Sequence, residues 1–146
     1  MTIFLDIDGV LNKKSQWKTL YSVNENCVKA FAELCKKIPG NPVIVLTSSW
    51  RHGFVNTMDE ENAPYIQNLE QIMDKYGIRI TDKTPALKGR TRDKEIERYL
   101  YFHPESRYVI IDDDKGEYGA IDRHNCFVNA EYGFCETDIK RVMKCI

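Results

Sequence analysis

With 146 residues, 42% hydrophobic and 29% charged, the chain has the size and balance of one globular domain able to bury a core without staples. A formal net charge of −1 excludes a bulk attraction to nucleic acid or to a membrane surface, so any such preference must reside in a local patch. No apolar run nears the roughly 20 residues of a bilayer-spanning helix. Met1 leads straight into TIFLDID without a leader pattern, so a cytoplasmic location is expected.

In chain order, Thr2–Asp6 is predicted to be a strand. Asn24–Lys37 has helical spacing through Val28, Phe31, Ala32, Leu34 and Cys35. Pro39, Gly40, Asn41 and Pro42 break the chain before a second strand at Val43–Thr47. Ala63–Tyr76 places Ile66, Leu69, Ile72 and Met73 at helical intervals and is stopped by Gly77. A short third strand is predicted at Ile78–Ile80, a helix at Arg92–Tyr101, a fourth strand at Tyr108–Ile111 and a fifth at Cys126–Val128. Thr137–Cys145 closes the chain as a helix with Thr137 as N-cap. Strands alternating with helices, and strands that are near-continuous apolar runs (VIVL, YVII), imply an α/β fold with about five parallel strands covered on both faces.

The 5 cysteines contain no C-x-x-C pair, and the 3 histidines show no ligand spacing. Free thiols are expected, buried at Cys27, Cys35 and Cys145, with a zinc site or disulfide framework as the lesser alternative.

Parallel sheets bind ligands beyond the carboxyl ends of their strands, and the unusual polar residues fall there. The first strand ends in Asp6-Ile7-Asp8-Gly9, the second in Thr47-Ser48-Ser49-Trp50-Arg51, and the fourth in Asp112-Asp113-Asp114. A basic stretch from Lys88 to Lys94 opens the helix between them. Each cluster alone has an ordinary explanation as a solvated turn, a helix cap or a charged face. Together they put carboxylates from two strands on one rim, where their mutual repulsion calls for a cation. An oxygen-only set suits Mg²⁺.

FLDIDGVLN, VIVLTSSWR, TRDKEIERYL and YVIIDDD resemble the motifs of the haloacid dehalogenase (HAD) superfamily of phosphohydrolases. More narrowly, they resemble the small HAD domains of Swiss Army knife RNA-repair proteins and phage, a likeness that runs through the late FVNAEYGFCETDI segment. The resemblance implies a HAD-like Rossmannoid three-layer sandwich. It makes Asp6 the nucleophile that takes the phosphoryl group and Asp8 the general acid and base. Thr47 and Ser48 would bind phosphoryl oxygens. Asp113 would ligate Mg²⁺ with Asp6 and the Asp8 backbone carbonyl, with Asp112 supporting. The family's third-motif lysine is replaced: Arg92 is in best register with its helix, and Lys94 and Lys88 remain alternatives. A proton donor two residues beyond the nucleophile points away from the dehalogenase branch.

Family members acting on small metabolites commonly carry an inserted cap. Here Lys13–Asn24 and Arg51–Asn62 are too short for one, so residues 1–146 are expected to form one capless domain. An open site is linked by the resemblance to macromolecular substrates, with a polynucleotide or nucleotide phosphate end favoured. Between Lys83 and Arg98 there are six basic residues against three acidic, with Arg51 and Lys13-Lys14 on the same rim. Trp17 and Trp50 lie in the same loops, and stacking on a base is set against Trp50 packing the core. Two alternatives stand beside this substrate: a small phosphometabolite, or a catalytically silent domain binding phosphate or protein. A signalling receiver domain would need its acidic residues in a different chain order.

Overall fold

Alternation along the first strand sends Ile3 and Leu5 to one face of a sheet and Phe4 to the other, and all three are buried, as a strand covered on both sides requires. The structure is a computed structural model that describes every residue except Asn56 and Glu117. Among the described residues the strands are β1 (Thr2–Leu5), β2 (Val43–Leu46), β3 (Asp82–Lys83), β4 (Tyr108–Asp112) and β5 (Asn125–Phe127). The α-helices are α1 (Glu25–Lys37), α2 (Pro64–Lys75), α3 (Arg92–Phe102) and α4 (Glu136–Cys145). All strand pairs are parallel, in the order β3-β2-β1-β4-β5.

Helices α1, α2 and α4 cover one face. Val28, Phe31, Leu69, Met73, Ile139 and Val142 share a core there with Ile3, Leu5, Ile44, Leu46, Val109 and Ile111. On the other face, Ile96 and Tyr99 of α3 join Tyr118 against Phe4, Val45 and Ile110. Each such fully buried side chain contributes about 1.5–3 kcal/mol of apolar transfer, so β1 and β4 are held firmly from both sides. This is the expected three-layer α/β sandwich. The chain runs outward from β1 to β2 and β3, then crosses back to β4. The carboxyl ends of β1 and β4 therefore flank the topological switch point, where open α/β sheets form their ligand crevice.

The third strand departs from expectation. The chain leaves α2 through Gly77, whose φ of +76° suits glycine, and the Ile78 amide bonds back to the Met73 carbonyl at 3.1 Å. Ile78 and Ile80 fill the core outside the sheet, and β3 forms only at Asp82–Lys83, opposite Val45 and Leu46. An apolar run alone does not separate a strand from a coil that plugs a core. At the last helix, Cys135 rather than Thr137 is the N-cap. Its amide is met by the Asp138 carboxylate at 2.9 Å, which starts α4 one residue before Thr137. The fifth strand sits one residue earlier than predicted. Among the thiols, Cys27, Cys35 and Cys126 are buried and all five are unpaired, whereas Cys145 is exposed because it lies in the last turn of α4.

The connections 6–24 and 47–63 contain no inserted domain among the described residues; Asn56, within the predicted Arg51–Asn62 loop, lies outside them. No helix among the described residues is long and apolar enough to cross a membrane.

Candidate active site

Parallel pairing carries on one residue past β1, where the Asp6 amide donates to the Ile111 carbonyl at 3.0 Å and the Thr47 amide to the Leu5 carbonyl at 2.9 Å. These bonds fix Asp6, Thr47 and the β4 terminus at the same end of the sheet. The next residues turn at once. Gly9 has φ +84°, and a Cβ there would collide with the Asp113 carboxylate, so the position requires glycine twice over.

Asn12 locks this turn. Its Oδ1 accepts from the Gly9 amide and from Trp17 Nε1, both at 2.9 Å, and its Nδ2 donates to Asp8 Oδ1 and to the Ser22 carbonyl, also at 2.9 Å. The buried amide is thereby fully satisfied. Trp50 Nε1 donates to both Asp8 oxygens at 3.2 Å. Asp8 is thus held by two neutral donors, apart from the remaining carboxylates.

Those carboxylates form the second half of the site. Asp6, Asp112 and Asp113 each bring an oxygen within 4.8 Å of the others. Arg92 reaches the group from the first turn of α3, with Nη1 at 2.6 Å from Asp112 and 3.4 Å from Asp6. Asp112 is further occupied by the Tyr118 hydroxyl and the Asp114 amide, so it is the best-satisfied of the three. Burial, then Asp112, pushes Asp6 well above the ordinary carboxylate range in spite of Arg92. Burial and Asp112 likewise raise Asp113 to about 6. Burial works against the Arg92 charge, but Asp6 and Asp112 more than offset it and raise its pKa. One guanidinium faces three carboxylates, which leaves a negative, oxygen-lined nest. Hard divalent cations such as Mg²⁺ bind such donor sets, so the residues present fit that ion.

The crevice is a cavity of about 530 Å³ lined by Asp6, Asp8, Ser48, Arg92, Asp112 and Asp113, with Trp17, Arg90 and Tyr118 at its margins. Thr47, beside Ser48 at the end of β2, is fully buried, and among the described residues its Oγ1 has no hydrogen-bond partner. An orphaned buried hydroxyl is uncommon and marks a place where a polar ligand atom would be welcome. Ser48 is differently employed: its Oγ accepts from the Trp50 amide at 3.1 Å as the N-cap of the 3-10 turn Ser49–Gly53.

Of the basic residues considered from the sequence, Arg92 reaches the cluster, whereas Lys94 pairs with Glu97 at 3.3 Å on the exposed side of α3 and Lys88 is exposed. Arg51 lines the crevice, but its charge is not free there. It is buried, with Nη2 at 2.7 Å from Glu95 and Nη1 bonded to the Thr47 carbonyl, and so ties α3 to the end of β2. Lys83 is also structural, donating to the Phe54 carbonyl at 2.6 Å. Trp50 is 1% exposed, which removes it as a stacking surface; Trp17 is 42% exposed and remains one. Asn12, Trp50 as a donor to Asp8, and Tyr118 behind Asp112 were not anticipated as parts of the site. Asn12 stands in the quoted first motif, but its role depends on a folded turn. Tyr118 comes from beyond the acidic loop and carries no signal in sequence.

The crowding has a measurable consequence. A carboxyl whose folded-state pKa is raised stabilises the fold only while protonated, and that contribution is lost as pH rises through its folded value. The metal-free protein should therefore lose stability as Asp113 ionises near pH 6. Asp113→Asn should melt higher than the metal-free parent, by more at about pH 8 than at about pH 5, and Mg²⁺ should raise the parent's melting temperature. Calorimetry checks this; an Asn variant that melts lower than the metal-free parent at about pH 8 would show that the carboxylates do not oppose one another.

The family model described as "HAD domain in Swiss Army Knife RNA repair proteins" matches residues 2–139. Among curated proteins and among solved structures, nothing matches the chain.

Proposed function

The chain belongs to the HAD domain family of Swiss Army Knife RNA repair proteins, and on that premise we propose that it is a phosphomonoester hydrolase acting on a nucleic-acid or nucleotide phosphate end. The observation that carries this is the separation of two kinds of carboxylate on one rim. Asp6 lies in the cluster with Arg92, Asp112 and Asp113, while Asp8 is held away from it by Asn12 and Trp50.

In the first step an Asp6 oxygen attacks phosphorus, the bond from phosphorus to the leaving oxygen breaks, and Asp8 gives that oxygen its proton. In the second, water attacks phosphorus of the aspartyl-phosphate, Asp8 takes the water's proton, and inorganic phosphate leaves with Asp6 regenerated. Arg92 and the unpartnered Thr47 hydroxyl bind the phosphoryl oxygens, with Ser48 beside them. Asp6, Asp113 and the Asp8 carbonyl would hold Mg²⁺, backed by Asp112. Bound there, the ion would offset the negative charge of carboxylates and phosphoryl group alike. Retention of the full set weighs against a silent binding domain.

The polymer preference rests on Arg90, which lines the cavity, and on Lys94 and Arg98 of α3, which are exposed and lead away from it. Positions four apart on a helix advance about 6 Å, a step suited to successive phosphates. Residues 1–146 would act as one capless unit in the cytoplasm, open to such a strand. With Mg²⁺, kcat/KM for a phosphorylated oligonucleotide should exceed that for the matching mononucleotide. The excess should shrink with salt, with a slope near −2 on logarithmic axes for three phosphate contacts, about 0.7 for each. Phosphate release from both substrates across a salt series checks this, and equal kcat/KM at low salt would move the substrate to a small phosphometabolite.

A further inference from the structure

A second cavity, of about 390 Å³, adjoins the first and shares Asp8, Trp17 and Ser49 with it. Its remaining walls are Leu20, Tyr21, Thr19 and the edge of Trp50. Asp6, Arg92, Asp112 and Asp113 line the first cavity and not this one. Among the described residues, Asp8 is the only carboxylate at the junction, and no lysine or arginine lines the second cavity. The two spaces are therefore chemically unlike: one charged, the other aromatic and aliphatic.

The aromatic walls are held in place. Trp17 is pinned by its indole N–H to Asn12 Oδ1 at 2.9 Å, the same amide that holds Asp8, which orients the ring relative to that carboxylate. Tyr21 stacks on Tyr65 with ring centroids 3.7 Å apart and meets Trp50 edge-on at 5.2 Å. Its φ is +57°, the one left-handed residue other than glycine among those described. Strain of this kind persists where the surrounding contacts over-determine it, and often at ligand sites. Leu20, beside it, is 83% exposed, an apolar side chain with nothing to cover it.

We infer that this second cavity is the subsite for the base of the nucleoside that leaves with the substrate oxygen. The inference rests on the proposed reaction: Asp8 protonates the leaving oxygen, so the leaving group lies on the Asp8 side, away from the Asp6 cluster. A nucleobase is the planar leaving part whose face suits Trp17 and Leu20 and whose polar edge suits the Thr19 and Ser49 hydroxyls. Base stacking on an exposed aromatic ring is tolerant of sequence. Selectivity would then be for the presence of a base rather than for its identity. The short loop from Lys13 to Ser22 does locally what an inserted cap does elsewhere: it gives the leaving group a wall.

The test compares a ribose phosphate that carries adenine with the same sugar phosphate lacking a base, both with Mg²⁺. In the parent, the base should raise kcat/KM about tenfold, within the roughly 5- to 150-fold equivalent of one stacked base. Trp17→Ala and Leu20→Ser should each reduce that ratio, while Trp17→Phe, which keeps an aromatic face, should retain most of it. A ratio near one in the parent overturns the inference. So does a Trp17→Ala variant that lowers both substrates by the same factor, which would mark a structural role, or a phosphotyrosine peptide preferred over the nucleotide. Binding is followed separately, as quenching of Trp17 fluorescence by adenosine monophosphate with Trp17→Phe as the blank. Quenching without turnover would uphold the subsite and sink the hydrolase reading; neither quenching nor turnover would sink both.

Discussion

Asp6→Asn is expected to lower phosphate release by at least about a thousandfold, because an amide cannot form the acyl-phosphate on which the proposed two-step reaction depends. The substitution is nearly isosteric at a 5% exposed position, so little repacking is required. It also removes one charge from a group of three carboxylates that face a single guanidinium. Its fold should therefore be at least as stable as that of the metal-free parent, and loss of activity would report chemistry rather than unfolding. Steady-state phosphate release together with a melting curve separates the two. Activity within tenfold of the parent would exclude Asp6 as the nucleophile.

Arg92→Ala should be the next most damaging change, lowering kcat by about 10²–10³, as expected for loss of a preorganised donor to developing charge. The residue bridges two members of the acidic cluster, at 3.4 Å from Asp6 and 2.6 Å from Asp112. Lysine in its place would keep a point charge but lose the planar fork, so Arg92→Lys should recover only part of the loss. Lys94→Ala and Lys88→Ala, assayed on a mononucleotide at saturating Mg²⁺, should stay within about threefold of the parent, since exposed ion pairs contribute little. If Lys94→Ala proved more harmful than Arg92→Ala, the basic element of the site would have to be reassigned to the outer face of α3.

Much of this arrangement was legible in the residues. Runs such as VIVL and YVII alternate between two buried faces, and a strand buried on both sides has few other ways to look. Asp6, Asp8, Thr47, Asp112 and Asp113 stand at strand ends, so the parallel topology alone brings them to one rim. What escaped depends on contacts that only the folded chain makes visible. Ile78 and Ile80 are as apolar as a strand, but the bond from Ile78 back to Met73 holds them out of the sheet. Arg51 looks like a free rim charge until Glu95, on another element, is seen to pair with it. Trp50 stands inside the second motif, yet only the folded β1 loop shows its indole pointing at Asp8.

A covalent phosphoryl group on Asp6, as proposed, would be seen in the mass of the N-terminal peptide after acid quenching during turnover with Mg²⁺ and a phosphorylated oligonucleotide. The expected result is one added phosphoryl group that maps to Asp6, absent after chelation and absent from Asp6→Asn. Phosphate released at the parent rate with no adduct on Asp6 at any quench time, and undiminished in Asp6→Asn, would contradict it.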